Sequence, residues 1–221
     1  MICYDYINSY IRKTIKGSTG LLLELEEYAR EHNVPVIQPE VAKLLLVIGS
    51  ILKPRYILEA GTAIGYSSIL LSSVLADGGR IDTIDSYQPM IEQAKANIKR
   101  AGLSDRINII ESDVEDVFKN LDREYDMIFL DAAKGQYLGL LPECLRLLRK
   151  GGVLISDNVL YKGMVANDEL VVRRKKTIVQ RLRKYLDEIC SSDLLETSII
   201  PIGDGVAVSW KKERKGTGGN E

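Results

Sequence analysis

The sequence predicts an α/β domain built on a mostly parallel sheet with helices on both faces, and three features predict it. Short apolar runs of strand length alternate with helical stretches from residue 56 onward, and chains that alternate in this way form parallel sheets covered on both sides. In YILEAGTAIGYSS a strand leads through two spaced glycines into a helix, which is how such sheets open a ligand crevice at their carboxyl edge. The last two apolar runs are joined by PIGDG, the signature of an antiparallel hairpin, here placed at one edge of the sheet.

The elements follow in order. Tyr6, Ile7, Tyr10 and Ile11, then Leu21, Leu22, Leu25 and Tyr28 recur at helical spacing, so residues 1–33 read as two amphipathic helices. The prolines of NVPVIQPE make an extended segment before a third helix at about 39–51. Residues 1–50 are thus an N-terminal helical cover, whose apolar faces would suit a homodimer. Strands are expected at 56–59, 80–85, 107–111, 127–131, 153–157, around 197–201 and at 205–210, with helices at 67–75, 88–101, 114–121, 137–148 and 168–191. No repeat or Pro/Gly/Ser linker divides the chain, so residues 1–212 read as a single domain, and the charged, Gly-rich tail 213–221 is expected to be disordered.

Composition narrows the class. The chain has 221 residues, 45% hydrophobic and 28% charged, with a formal net charge of −1; this suits a folded globular domain. A nucleic-acid partner would have to be held by a local basic patch rather than by the global field. Cys3, Cys144 and Cys190 are too far apart for a zinc knuckle and odd in number for a closed disulfide set, so they read as reduced thiols of a cytoplasmic protein. No run of about 20 apolar residues is present, and a signal peptide or membrane span is not expected.

The chemistry concentrates at strand ends. Gly61-x-x-x-Gly65 departs from the dinucleotide pattern G-x-G-x-x-G, and the acid before it, Glu59, points to a cationic ligand rather than a pyrophosphate. Asp85, Asp113, Asp131 and Asp157 close the following strands or begin the turns after them. One such acid is commonly a helix cap; five in succession, counting Glu59, would line the edge where ligands bind. Asp157 is followed by Asn158.

EAGTAIGYSS, DAAKGQY, SDNVLYKG and PIGDGVAVS together resemble the class I S-adenosylmethionine (SAM)-dependent O-methyltransferases, in the cation-dependent branch that includes catechol and caffeoyl-CoA O-methyltransferases. The resemblance covers roughly residues 20–212. It implies a Rossmann-like fold with a seven-stranded, mostly parallel sheet, an antiparallel edge hairpin and extra N-terminal helices. It also implies that Glu59 stands near the cofactor's ammonium group, that Gly61 allows close approach and that Ser67 offers a hydroxyl. Asp85 would accept from the ribose, Asp113 and Val114 would read the adenine edge, and Ile37 would lie close by. Asp131, Asp157 and Asn158 would hold Mg²⁺ or another hard divalent cation, their three oxygen donors leaving half of an octahedral shell open; Asp131 would also face the cofactor, and Lys134 would be the catalytic base. Asp85 stands where many relatives carry the longer Glu, which leaves the geometry of the ribose contact open.

A chelating cation favours an acceptor with two neighbouring oxygens, as in a catechol or in 5-hydroxyuridine. DAAKGQY, DNVLYKGMVA, the downstream basic run and IIPIGDGVAVSWKK are most similar to bacterial tRNA 5-hydroxyuridine methyltransferases, which make 5-methoxyuridine at the wobble position of the anticodon. The expectation is therefore a tRNA-modifying enzyme that takes up an anticodon loop, the alternative a methyltransferase of a small catechol or phenylpropanoid. RRKKTIVQRLRK, residues 173–184, with Lys162, Lys211 and Lys212, would supply the phosphate contacts, although a solvated helix explains the same run.

Overall fold

The computed structural model describes residues 2–213. The expected tail therefore falls, apart from Glu213, outside the described residues.

Three helices open the chain: α1 (Asp5–Thr14), α2 (Leu21–His32) and α3 (Pro39–Leu52). Pro39 suits its place in the first turn of α3, where its missing N–H would have no helical partner. The sheet then alternates with helices as β1 (Tyr56–Ala60), α4 (Tyr66–Ser72), β2 (Arg80–Asp85), α5 (Gln88–Arg100), β3 (Ile107–Glu111), α6 (Val114–Asn120), β4 (Tyr125–Leu130), α7 (Tyr137–Leu147) and β5 (Leu148–Ser156). Helix α8 (Lys176–Ser191) and the hairpin β6 (Leu195–Ile200) and β7 (Val206–Lys211) complete the domain. The seven strands lie in the order β3-β2-β1-β4-β5-β7-β6. Only β7 runs against the others: it pairs antiparallel with β5 and with β6. The hairpin thus enters the sheet through its second strand and leaves β6 as the edge.

The strands read as near-continuous apolar runs because both faces are covered. In β1, Ile57 packs into the layer formed with α2, α3 and α4, and Leu58 into the layer formed with α6, α7 and α8. Both are fully buried, and each such side chain contributes about 1.5–3 kcal/mol of transfer free energy.

Two expected boundaries move furthest, others by three residues or fewer. Strand β5 begins at Leu148, not near 153, because Leu148 pairs with Tyr125 before an irregularity in the ladder, where Gly151 takes a φ of 73°. The helix expected over 168–191 begins only at Lys176. Before it come two short 3₁₀ turns, Asp168–Leu170 and Arg173–Lys175. They are separated by Val171 and Val172 in extended conformations, and β-branched residues favour that geometry over the helix.

The N-terminal cover is tied down by an ion pair. The Arg12 guanidinium donates through Nε and Nη2 to the two carboxylate oxygens of Glu40, each at 2.9 Å, and Nη2 also reaches the Gln38 side chain at 2.7 Å. Glu40 is buried whereas Arg12 is half-exposed, so solvent screens one side of the pair. Arg12→Ala leaves Glu40 without its partner and should lower the unfolding free energy by about 1 kcal/mol. Urea denaturation checks this, and α1 should show faster amide exchange.

Candidate active site

The parallel register brings the strand ends level at one edge. Beyond the regular ladder, Gly61 N donates to Ile84 O, Asp131 N to Ala60 O, Asp157 N to Leu130 O and Ser112 N to Asp85 O, all at 2.9–3.0 Å. The turns that carry the acids are therefore extensions of the sheet. A cavity of about 800 Å³ opens over them. It is lined by Ile37, Gly61 and Ser67 at one part of its wall, by Asp85, Asp113 and Val114 at another, and by Asp131, Lys134, Asp157 and Asn158 at a third. Of the residues singled out in the sequence, only Glu59 is absent from the lining.

Glu59 lies one rung below the edge. Its register partner on β2 is Thr83, and its Oε2 accepts from the hydroxyls of Thr83, at 2.6 Å, and Ser68. Oε1 has no hydrogen-bond partner and is the one buried side-chain polar atom in that condition among the described residues. The nearby Ser67 hydroxyl faces the carboxylate without completing a bond of normal geometry. Burial pushes the Glu59 carboxyl up to about 7, while the hydroxyls of Ser67, Ser68 and Thr83 hold it partly back. A buried anion with an open lone pair beneath a glycine turn suits the ammonium of an amino-acid moiety bound above it.

The glycine turn owes its course to two contacts. Gly61 has φ +102°, and a Cβ there would overlap the backbone carbonyl of Asp131, so no other residue allows β1 and β4 to approach this closely. Asp85 Oδ2 accepts from the backbone N–H groups of Thr62 and Ala63 at 3.1 and 3.0 Å, and Oδ1 accepts from Tyr87 N at 3.0 Å. Asp85 thus clasps the turn as well as facing the cavity, where its remaining lone pairs can take ribose hydroxyls. Asp113 caps α6 by accepting from Glu115 N at 2.8 Å, so its capping role and a place in the wall coexist. Tyr87 and Met90 also line the cavity. The sequence does not single them out, although SYQPM follows Asp85 directly and its aromatic and thioether side chains are the available signal.

Asp131 and Asp157 end the neighbouring strands β4 and β5. Tyr137, buried on α7, ties these ends together: its hydroxyl donates toward Leu130 O at 2.8 Å and lies 3.2 Å from Asp157 O. Lys134 Nζ donates to Asp131 Oδ1 at 2.5 Å. Asp157 is buried, and its carboxyl is pushed up to about 7, first by burial and next by the charge of Asp131, while the Asn158 N–H and Lys134 oppose the shift. Two carboxylates sharing one ammonium leave an excess negative charge, and the Asn158 side chain adds a neutral oxygen donor in the same wall. This donor set suits a hard divalent cation.

Fold and cavity define an α/β protein whose sheet edge has room for a nucleotide-sized cofactor. The chain belongs to the O-methyltransferase family, whose model matches residues 15–212. It is 32% identical over 187 residues to a caffeoyl-CoA O-methyltransferase of Populus kitakamiensis, covering 80% of this chain and 77% of that one. It is 30% identical over 220 residues to a catechol O-methyltransferase of Niastella koreensis, covering 95% and 98%. A solved O-methyltransferase from Bacillus cereus in complex with SAH superposes with a TM-score of 0.82 at 27% identity, covering 94% of this chain and 97% of that one. The activity is SAM-dependent O-methyl transfer, on the Rossmann-like methyltransferase fold that the sequence predicts.

Gly61→Ala forces β1 away from the Asp131 carbonyl and imposes an unfavourable φ. Calorimetric titration with SAH should show affinity lowered by at least about tenfold, equivalent to ~1.4 kcal/mol.

Proposed function

We propose that the chain methylates one oxygen of an acceptor that presents two neighbouring oxygens, with Mg²⁺ or another hard divalent cation held by Asp131, Asp157 and Asn158. The observation that carries this reading is the pair of strand-end carboxylates, one buried and pushed up to about 7, sharing a single lysine at the end of the cavity. When bound, the cation stabilises an acceptor oxyanion, and SAM supplies the methyl group. Glu59 anchors the ammonium end, Asp85 the ribose, and Ile37, Asp113 and Val114 the adenine side. Lys134 would serve as the base: after its Nζ has given up a proton to solvent, it would receive the proton of the acceptor hydroxyl. The backbone contact between Gly61 and Asp131 sets the distance between the cofactor turn and the acceptor side.

Two acceptor classes have the required oxygens. The named relatives, a caffeoyl-CoA and a catechol O-methyltransferase, favour a small catechol or phenylpropanoid. The second class is the 5-hydroxyl of 5-hydroxyuridine at the tRNA wobble position, giving 5-methoxyuridine, for which the support is a surface feature that suits a polyanionic acceptor. Arg173, Arg174 and Lys176 are exposed, and Lys175 Nζ sits 5.7 Å from the centre of the Tyr161 ring, on the loop that follows Asn158. Other cations of the run are committed: Arg183 binds the carbonyls of Val165 and Met164, and Arg181 that of Gly135. Lys211 donates to the carbonyls of Leu145 and Leu148 at the far end of β7. A tRNA would thus rely on residues 173–176. Exposed Tyr6, Tyr10, Val47 and Ile51 on α1 and α3 support association with a second copy, which light scattering would measure.

Methyl transfer to caffeate and to tRNA carrying 5-hydroxyuridine, assayed side by side, decides the acceptor. Replacing Arg173, Arg174, Lys175 and Lys176 by Gln should weaken tRNA binding and flatten its salt dependence, and unchanged binding would remove the tRNA reading. Asp157→Ala should abolish turnover while SAH affinity stays within a few-fold. Lys134→Met should lower kcat by about 10²–10⁴ and flatten its rise with pH.

The cation reading has its own pH signature. The folded-state value of Asp157 lies above the ordinary carboxylate range, so its proton stabilises the cation-free fold at low pH, and that contribution is lost as pH rises toward about 7. Because Mg²⁺ must displace this proton, it should raise the melting temperature more at pH 8 than at pH 5.5. An increment independent of pH would count against Asp157 as a ligand.

A further inference from the structure

The loop after β5 holds an uncommon backbone. Asn158, Tyr161 and Lys162 have φ of 56°, 45° and 58°, and Gly163 follows at 80°. Each left-handed residue other than glycine costs on the order of 1 kcal/mol, so a loop carrying three of them keeps its shape only where its surroundings dictate it.

The surroundings that do so are the turn between β6 and β7. Gly205 O accepts from Val159 N at 2.9 Å and Asp204 O accepts from Leu160 N at 3.1 Å. A Cβ on Gly205 would overlap the Leu160 side chain, which puts turn and loop in direct contact. The remaining link is made by a side chain: Asp204 Oδ1 accepts from Lys162 N at 2.5 Å. Lys162 is the last of the left-handed residues before Gly163, so this bond closes the strained stretch. Asp204 is half-buried, and its carboxylate lies near enough to Asp157 and Lys134 to influence both electrostatically.

We propose that Asp204 is a positioning residue for methyl transfer: by holding the Lys162 N–H, its carboxylate keeps the distal half of the 158–163 loop, at Tyr161 and Lys162, in its left-handed conformation beside the Asn158 end of the cavity. This rests on the reading that the acceptor binds at the Asp131, Asp157 and Asn158 end of the cavity. Asp204 does so without touching the reacting atoms. The backbone bonds of Val159 and Leu160 survive any substitution at position 204, so what a variant loses is the hold on the distal half of the loop alone.

The test compares Asp204→Ala with Asp204→Asn, whose Oδ1 can still accept from Lys162 N. Amide exchange is followed over residues 158–164 in the SAH-bound protein, and KM and kcat are measured with caffeate and with 5-hydroxyuridine tRNA. Asp204→Ala should exchange this loop at least about tenfold faster, in line with the loss of one charge-assisted hydrogen bond. It should also raise the acceptor KM by a similar factor, with SAH affinity within about twofold of wild type, and Asp204→Asn should restore both. Unaltered loop exchange in Asp204→Ala overturns the proposal, and so does faster exchange with unchanged acceptor kinetics. Failure of Asp204→Asn to restore the loop also overturns it, since charge rather than the hydrogen bond would then be at work. If the wild-type protein methylates neither acceptor and its melting temperature does not respond to Mg²⁺, the acceptor and cation reading fails, and with it the positioning role, even where loop exchange responds as expected.

Discussion

Two carboxylates at the ends of adjacent parallel strands repel each other, and the site is organised around that repulsion. At an effective dielectric near 20, unit like charges 4 Å apart interact unfavourably by about 4 kcal/mol, a large fraction of a domain's net stability. The fold keeps Asp131 and Asp157 together because their backbones are not free to separate. Each is the next rung of a hydrogen-bonded ladder, and the Tyr137 hydroxyl bridges the two strand ends from a fully buried helix position. Lys134 offsets part of the repulsion, and burial first, with the charge of Asp131 second, raises the proton affinity of Asp157.

The same edge treats its other acids differently, and the difference follows from register. Asp85 has its carboxylate filled by backbone N–H groups of the glycine turn, whereas Glu59, one rung lower, is filled by hydroxyls and keeps one oxygen open. Asp113 caps a helix. Acidic side chains at one edge therefore serve as turn clasp, helix cap or buried anion with an open oxygen, according to how many N–H or O–H donors reach them.

Much of this was legible in the chain. Apolar runs separated by helical stretches gave the sheet, and the acids at their ends gave the site edge, because strand ends in a parallel sheet must fall on one side. What was not legible depends on register and on fold-back. Whether Glu59 stands level with the edge or beneath it is decided by its pairing with Thr83, which no local spacing encodes. The helix expected from residue 168 has an unbroken charge pattern, but two extended valines interrupt it. The link from Asp204 to Lys162 spans 42 positions, and PIGDG by itself announces only a turn. The basic run was visible as composition; that Arg181 and Arg183 are committed to backbone carbonyls was not.

The extended Val171–Val172 segment has a consequence for how such a protein diversifies. On the proposed reading, donor-side parts are distributed over the ends of β1, β2, β3 and β4 and locked by backbone contacts, the Gly61–Asp131 approach among them. The stretch between Asn158 and Lys175 is different: it is one contiguous piece, built of short 3₁₀ turns and exposed apolar and basic residues. Exchanging that single cassette would alter the outer surface offered to an incoming molecule while leaving the reach from donor to acceptor untouched. A lineage could thus move between small and macromolecular clients by local sequence drift, with no need to reinvent its chemistry.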